Sequence, residues 1–462
     1  MKTLLERAKG SALDIVFDQR VPVDTMMALL SPHARQIKYL ELTDRSWADI
    51  SKFSGIGFEQ LPLLHTLKII PTEWYSSRDN IFGPIATGPM VPPPSPFFIN
   101  AINLKQFTFH SKRFQFLGPL AFPHLTIFEL SARPMFKSGA LGILNFLKAS
   151  PMLRAVKMKV DGAAKAKSIP RETVVLLPNV ETFSLHMVDA LDVYDIAVHI
   201  SCPKSRNTSL TYELCDYEVL PGLEVFPTPD SANAIANQYA RSPVEEITFT
   251  MEPALDLGVE SIYDPVIGFS LTFRLSDAGT IRFGLQVTGS DTSQISLGEI
   301  GSEAFSLASG CIRAHSLLSH TKRLHVKCEG FFWETEEILP VAKEVGRLFE
   351  SVGPLDELAV EDYGLRTLLI PFFDLGELEQ LIIFPSIREL IILHPSTAFE
   401  EEGCAEAIVG FAESQHAKGI PFERITVPAG ALSQVIVEVL ERYVGAVDFH
   451  DNRRTSEPWW SS

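Results

Sequence analysis

Phe384-Pro385-Ser386-Ile387-Arg388-Glu389-Leu390-Ile391-Ile392-Leu393 decides how the chain is read, because its pattern recurs. Leu61 to Ile70 reads Leu-Pro-Leu-Leu-His-Thr-Leu-Lys-Ile-Ile, and Phe122 to Ser131 reads Phe-Pro-His-Leu-Thr-Ile-Phe-Glu-Leu-Ser. Leu177 to His186 reads Leu-Pro-Asn-Val-Glu-Thr-Phe-Ser-Leu-His. The common frame is apolar, Pro, any residue, apolar, two variable, apolar, one variable, apolar. It describes a loop stopped by proline and then a short strand that turns alternate residues inward. Repetition of such a unit predicts an α/β fold: a leucine-rich-repeat-like solenoid with a curved, mainly parallel sheet and outer helices.

Outward from these four copies, further inward sets follow the frame: Leu104, Phe107 and Phe109; Leu153, Val156 and Met158; Val244, Ile247 and Phe249. Leu324 with Val326, Leu355 with Leu358 and Val360, and Phe422 with Ile425 and Val427 continue it. Earlier in the chain, Leu13 to Phe17 and Ile37 to Leu42 read as strands, with Asp24 capping a helix that runs to Leu30 before Ser31-Pro32. Leu4 to Ala8, Gly142 to Pro151, Glu336 to Ser351, Glu401 to Lys418 and Ala431 to Tyr443 have helical spacing; Asp192 to Ile200 and Ala232 to Ala240 are weaker candidates. Val444 to Phe449 is a last short strand.

Two segments depart from the repeat. The proline-rich stretch 77–100 reads as a loop. Between 265 and 288, Ile267, Phe269, Leu271, Phe273 and Leu275 alternate with small or polar residues, as do Ile281, Phe283, Leu285 and Val287 beyond a Gly-containing turn. Period two on both sides of a turn predicts an inserted antiparallel β-hairpin that pads a flank or packs back on the array. The expected organisation is a single irregular solenoid over 1–449 followed by a tail, 450–462, that holds Trp459 and Trp460.

Composition narrows the function. The chain has 462 residues, 46% of them hydrophobic, and 40 Lys plus Arg against 57 Asp plus Glu leave a net charge of −17. A field of that sign repels phosphate backbones and anionic membranes, so neither nucleic acid nor membrane is an expected partner. Five cysteines (Cys202, Cys215, Cys311, Cys328 and Cys404) without a Cys-x-x-Cys pair fit a reducing compartment. With no signal-peptide pattern at Met1 and no long apolar run, the expected location is cytoplasmic or nuclear. Asn207-Thr208-Ser209 then reads as a chance triplet in a loop.

Motifs for chemistry are lacking. There is no Gly-x-Ser-x-Gly elbow, no His-Glu-x-x-His and no P-loop lysine, and Gly55-Ile56-Gly57 precedes a strand instead of following one. Cys311, His315, His320, His325 and Cys328 cluster in sequence, but a five-residue step turns a helical side chain by about 140°, so His315 and His320 would not share a face. Lys157, Lys159, Lys165, Lys167 and Arg171 have no interleaved aromatic residues for base stacking. The expectation is a non-enzymatic binding scaffold without metal or cofactor, whose partner is a protein or peptide.

If the apolar positions of the frame face inward, period two puts the residues between them on the concave face, where solenoids bind. These are Tyr39, Glu41, Thr66, Lys68, Gln106, Thr108, Ile127, Glu129, Ala155, Lys157, Thr182, Ser184, Arg323, His325, Glu357, Ala359, Glu389 and Ile391. Their mixed charge suits a protein or peptide better than a nucleic acid.

Leu5-Glu6-Arg7-Ala8-Lys9-Gly10-Ser11-Ala12-Leu13-Asp14-Ile15, the strands stopped by Phe-Pro or Ser-Pro, and Gly419-Ile420-Pro421-Phe422-Glu423-Arg424-Ile425 together resemble the fungal F-box proteins with leucine-rich-repeat-like regions. The resemblance implies the substrate-binding repeat region of an SCF-type ubiquitin ligase subunit. In that family an F-box precedes the repeats and docks on the ligase adaptor; here Met1 stands directly before the first repeat. A ligase adaptor is therefore an expected partner only if an F-box lies upstream, and the alternative is a stand-alone binding protein with no ligase link.

Overall fold

The computed structural model describes residues 10–17, 21–45, 61–71, 103–114, 122–134, 139–161, 173–188, 194–215, 242–253, 266–288, 320–328, 352–361, 386–393 and 404–450. The chain divides into two compact units, Met1–Tyr212 and Glu213–Ser462. Each is built on a mainly parallel sheet with few helices.

The proline of the frame has a definite task. In four copies it occupies the second position of a turn closed by a hydrogen bond from the fourth residue to the first: Leu64 N–H to Leu61 O, 3.1 Å; Leu125 to Phe122, 3.1 Å; Leu153 to Ser150, 3.4 Å; Val180 to Leu177, 3.4 Å. Proline is preset for that position by its fixed φ. The fourth residue of every such turn is buried, as is the first, so the turn is stapled into the core from both ends.

In the first unit, β1 (Leu13–Phe17) precedes helix α1 (Val23–Leu30), which continues as a 3-10 segment over Ser31–Gln36 into β2 (Ile37–Arg45). Next come β3 (Thr66–Pro71), β4 (Gln106–Phe114), β5 (Ile127–Pro134), helix α2 (Gly139–Lys148) and β6 (Ala155–Asp161). After these lie β7 (Val175–Leu176), β8 (Thr182–Val188), the short helix α3 (Tyr194–Ala197), β9 (Ile200–Ser201) and β10 (Asn207–Cys215). The sheet order is β1-β2-β3-β4-β5-β6-β8-β10, and β7 and β9 form a separate parallel pair. Register is kept from strand to strand: Leu40, Leu67, Phe107, Phe128, Val156 and Phe183 stand side by side, and Leu42, Ile69, Phe109, Leu130, Met158 and Leu185 form the next row. Both rows are buried, as the frame predicts. Helix α2 lies over them, since the Phe146 ring is 4.5 Å from that of Phe128 and 5.8 Å from that of Phe122.

In the second unit the elements are β11 (Val244–Pro253), β12 (Val266–Leu275), β13 (Thr280–Thr288), β14 (Arg323–Cys328), β15 (Leu355–Glu361) and β16 (Ile387–Leu393). Helix α4 (Cys404–Ala417), β17 (Arg424–Pro428), helix α5 (Gln434–Leu440) and β18 (Val447–His450) complete it. The order β13-β12-β11-β14-β15-β16-β17-β18 is parallel from β11 to β18. Ile247, Leu324, Leu358, Leu390 and Ile425 form its buried row.

Four expectations need correction. The 265–288 hairpin is antiparallel, but it neither pads a flank nor folds back: β12 pairs along β11 from Val244↔Leu275 to Pro253↔Ile267 and so extends the sheet in its own plane. A strand edge left open by β11 is satisfied most fully by another strand. Asn207-Thr208-Ser209 is the start of β10, with Thr208 buried, and not a loop. Asp24 does not cap α1, which begins at Val23 after Pro22; its carboxylate lies in the first turn, at the positive end of the helix dipole. Helix α5 starts later than expected because Gly430 takes φ +83° and Ser433 is the cap, accepting from Ile436 N–H at 3.4 Å. The expected elements at Leu4 to Ala8, Ala232 to Ala240 and Glu336 to Ser351, the 77–100 loop and the tail beyond His450 lie outside the described residues.

Candidate protein-binding face

Register also organises the opposite side of each sheet. In the first unit Tyr39, Thr66, Gln106, Ile127, Ala155 and Thr182 form one row across β2, β3, β4, β5, β6 and β8. Glu41, Lys68, Thr108, Glu129, Lys157 and Ser184 form the next. All twelve expected residues are thus brought onto one face. The second row is partly self-neutralised, with Lys68 Nζ 3.5 Å from Glu41 and Lys157 Nζ 3.1 Å from Glu129. Tyr39 donates its hydroxyl proton to Glu41, and Lys68 Nζ lies 5.6 Å from the Tyr39 ring centroid. Burial and then its bond to Glu41 push the Tyr39 phenol upward, while the bond to Tyr39 holds Lys68 protonated to higher pH. Ile127 is 41% exposed, an apolar side chain in the middle of the face.

In the second unit Arg323, Glu357 and Glu389 share one row and His325, Ala359 and Ile391 the next. Arg323 Nε is 3.8 Å from Glu357, and Glu389 accepts from Thr426 Oγ1 at 2.9 Å. Burial raises the Glu357 carboxyl, with Arg323 opposing and Glu389 adding to the shift. Two residues of this row escaped the sequence reading. Glu246 on β11 pairs with Arg323 in register, and its carboxylate lies 3.0 Å from Arg274 of β12. Glu246 is buried, which raises its pKa against the pull of Arg274, Arg323 and His325. Its signal was the second Glu of Pro243-Val244-Glu245-Glu246, one residue out of the usual spacing; Arg274 could be placed only by the strand pairing.

Three of the eighteen are corrections: Thr108, His325 and Ala359 are on the expected face but buried, at 4%, 7% and 6% exposure. Period two settles which side a residue takes, whereas exposure depends on neighbour length. Thr108 stands between the longer residues Lys68 and Glu129. Ala359 stands between His325 and Ile391. His325 stands between the shorter Thr248 and Ala359.

Among the described residues no three His, Cys, Asp or Glu side chains gather as a metal would require. His320 is exposed, His325 is buried on β14, and Cys311 and His315 lie outside the described residues. Nor is any helix of the described residues long and apolar enough to cross a membrane. What the two faces carry is paired charge, hydroxyls and an exposed isoleucine. No family model matches the chain, and no curated protein matches it.

Proposed function

We propose that the chain is a protein-interaction scaffold, a leucine-rich-repeat-like solenoid in which the non-buried sheet face of each unit receives a protein or peptide. The observation that carries this reading is the strand-to-strand register. It lines up Tyr39, Thr66, Gln106 and Ile127 in one row and Glu41, Lys68, Glu129 and Lys157 in the next, a two-row display fixed by backbone pairing. Side chains held by rigid elements lose little further freedom on binding, and mixed charge selects a partner of complementary pattern.

The resemblance to fungal F-box proteins supports a narrower form, in which the partner is a substrate of an SCF-type ubiquitin ligase; a stand-alone scaffold is the alternative. Co-purification separates them. Recovery of a cullin-RING adaptor with the full-length gene product favours the ligase form, and partners without adaptor favour the stand-alone one. For the scaffold itself, Lys157→Glu, Arg323→Glu and Glu389→Lys are combined and compared with Glu406→Lys plus Glu413→Lys, both exposed on α4. Partners are lost from the first variant and kept by the second. Loss from the helix variant alone would move the binding surface to the helical side and refute the assignment.

A further inference from the structure

One residue stands immediately before the outward rows in each repeat of the first unit, and the backbone stacks these residues in a file. The carbonyl of Lys38 accepts from His65 N–H at 2.8 Å, that of His65 from Lys105 and Gln106 at 2.8 and 2.9 Å, and that of Lys105 from Thr126 and Ile127 at 2.8 and 2.9 Å. The carbonyl of Thr126 accepts from Arg154 and Ala155 at 2.8 and 3.0 Å, and that of Arg154 from Glu181 and Thr182 at 2.7 and 3.2 Å. Lys38, Lys105 and Arg154 are exposed, and among the described residues no carboxylate pairs with them. Thr126 turns its hydroxyl back onto Lys105 O at 2.9 Å, so the file presents cations and one imidazole as far as Arg154. Burial lowers the His65 pKa, and the neighbouring charges of Lys105 and Lys38 lower it further.

The second unit supplies an internal control. Its equivalent file is joined by the same bonds, from Lys322 N–H to Glu245 O, Asp356 N–H to Lys322 O, and Glu423 N–H to Arg388 O, each 2.8 Å. There the charges alternate and close on themselves: Arg388 lies 3.6 Å from Asp356 and 3.0 Å from Glu423. The same structural position is therefore neutralised in one unit and left basic in the other, within a chain of net charge −17.

We infer that Lys38, His65, Lys105 and Arg154 form a docking ridge for an extended acidic segment of a partner protein, laid across the strands from β2 to β6. This rests on the scaffold reading and names the partner class for the first unit. Neighbouring strands are about 4.8 Å apart, so Lys38 to Lys105 and Lys105 to Arg154 are each about 9.6 Å. A polyproline-II segment rises about 3.1 Å per residue and returns to the same face every third residue, so carboxylates three apart recur at about 9.3 Å. The match selects an acidic residue at every third position over about seven residues. A long polyanion fits poorly: the file ends on the exposed Glu181, and the net charge of −17 repels it.

The test is fluorescence anisotropy on the full chain with a labelled seven-residue peptide bearing Glu at positions one, four and seven. Controls are a peptide of the same composition with its three Glu contiguous, and single-stranded RNA. The protein variants are Lys38→Glu/Lys105→Glu/Arg154→Glu and, in the other file, Lys322→Glu, each checked for an unchanged thermal transition. Should the triple variant not fold, Lys38→Gln/Lys105→Gln replaces it. We expect the spaced peptide to bind in a salt-sensitive manner, the ridge variant to lose at least tenfold in affinity, and Lys322→Glu to bind as the parent does. Equal binding by parent and ridge variant, no binding of the spaced peptide, or equal or tighter binding of the contiguous peptide or of RNA would each overturn the ridge. If the spaced peptide fails while partners are still lost with the outward-row reversals, the ridge falls and the scaffold stands. A bound peptide with no partner dependent on the outward rows would have the opposite meaning.

Discussion

Phe128→Ala probes the packing on which the first unit depends. The ring is 1% exposed, lies between Phe107 and Val156 in the buried row, and has the Phe107 ring at 6.0 Å and the Phe146 ring at 4.5 Å. Truncation removes contacts within the sheet and to helix α2 together, and the turn below, stapled by Phe122 and Leu125, has little freedom to collapse into the gap. Phe→Ala substitutions in such cores cost about 3–5 kcal/mol. Two ring contacts place this site at the upper end of that range. Its sequence neighbour Glu129 points to the other side, where its ion pair with Lys157 is 32% exposed on one partner and 70% on the other. Solvent screening limits Glu129→Ala to roughly 0–1 kcal/mol. Urea unfolding followed by far-UV circular dichroism separates the two: with a slope near 2 kcal/mol per M, the midpoint falls by about 1.5–2.5 M for Phe128→Ala and by under about 0.5 M for Glu129→Ala. Equal shifts would show that the alternation of faces along β5 is wrong.

Three other perturbations follow from local geometry. Gly445→Ala puts a Cβ 2.6 Å from the backbone carbonyl of Glu423, where nothing flexible can yield, and should cost about 1–3 kcal/mol in a thermal or urea melt. Ala278 holds φ +63° in the β12–β13 turn, so Ala278→Gly relieves left-handed strain and should stabilise by about 0.5–1 kcal/mol, seen as a raised melting temperature. Glu246 has its pKa raised in the folded state by burial, so the native protein holds that proton more tightly than the unfolded chain. Its contribution to stability is therefore full below the ordinary carboxylate value and is lost as pH rises through the raised one. Relative to the parent, Glu246→Gln should flatten the decline in unfolding free energy with pH just above the carboxylate range; parallel pH profiles would refute the assignment.

The buried rows were legible from sequence because a parallel strand covered on one side must repeat its apolar residues in step. Leu67, Phe107, Phe128, Val156 and Phe183 could be placed before any coordinates, as could the strand ends near Pro62, Pro123 and Pro178. The β10 repeat was missed although Cys202-Pro203 begins it. Its turn closes from Ser205 N–H to Cys202 O at 3.1 Å, but two of its three remaining inward positions hold Ser205 and Thr208, whose hydroxyls meet at 3.0 Å, and Leu210 alone keeps the apolar pattern. The hairpin was visible as two alternating runs, but hydrophobic period says nothing about which edge they join, and the pairing with β11 is a long-range choice. The candidate face was legible as a side of the sheet and illegible as a relief. Shading of Thr108, His325 and Ala359, and the pairing of Glu246 with Arg274, depend on neighbours far away in sequence. The basic file was hidden for a related reason: Lys38, Lys105 and Arg154 are separated by scores of residues, and only the bonds between successive repeats bring them into line.

Site-specific photo-crosslinking tests the scaffold reading most directly. A benzophenone side chain replaces Ile127, the exposed apolar residue of the outward row, or Glu413, exposed on α4. After irradiation in cells, adducts are compared by mass spectrometry. A defined partner protein captured from position 127 and absent from position 413 is the result the scaffold requires. Capture from position 413 with none from position 127 would contradict it.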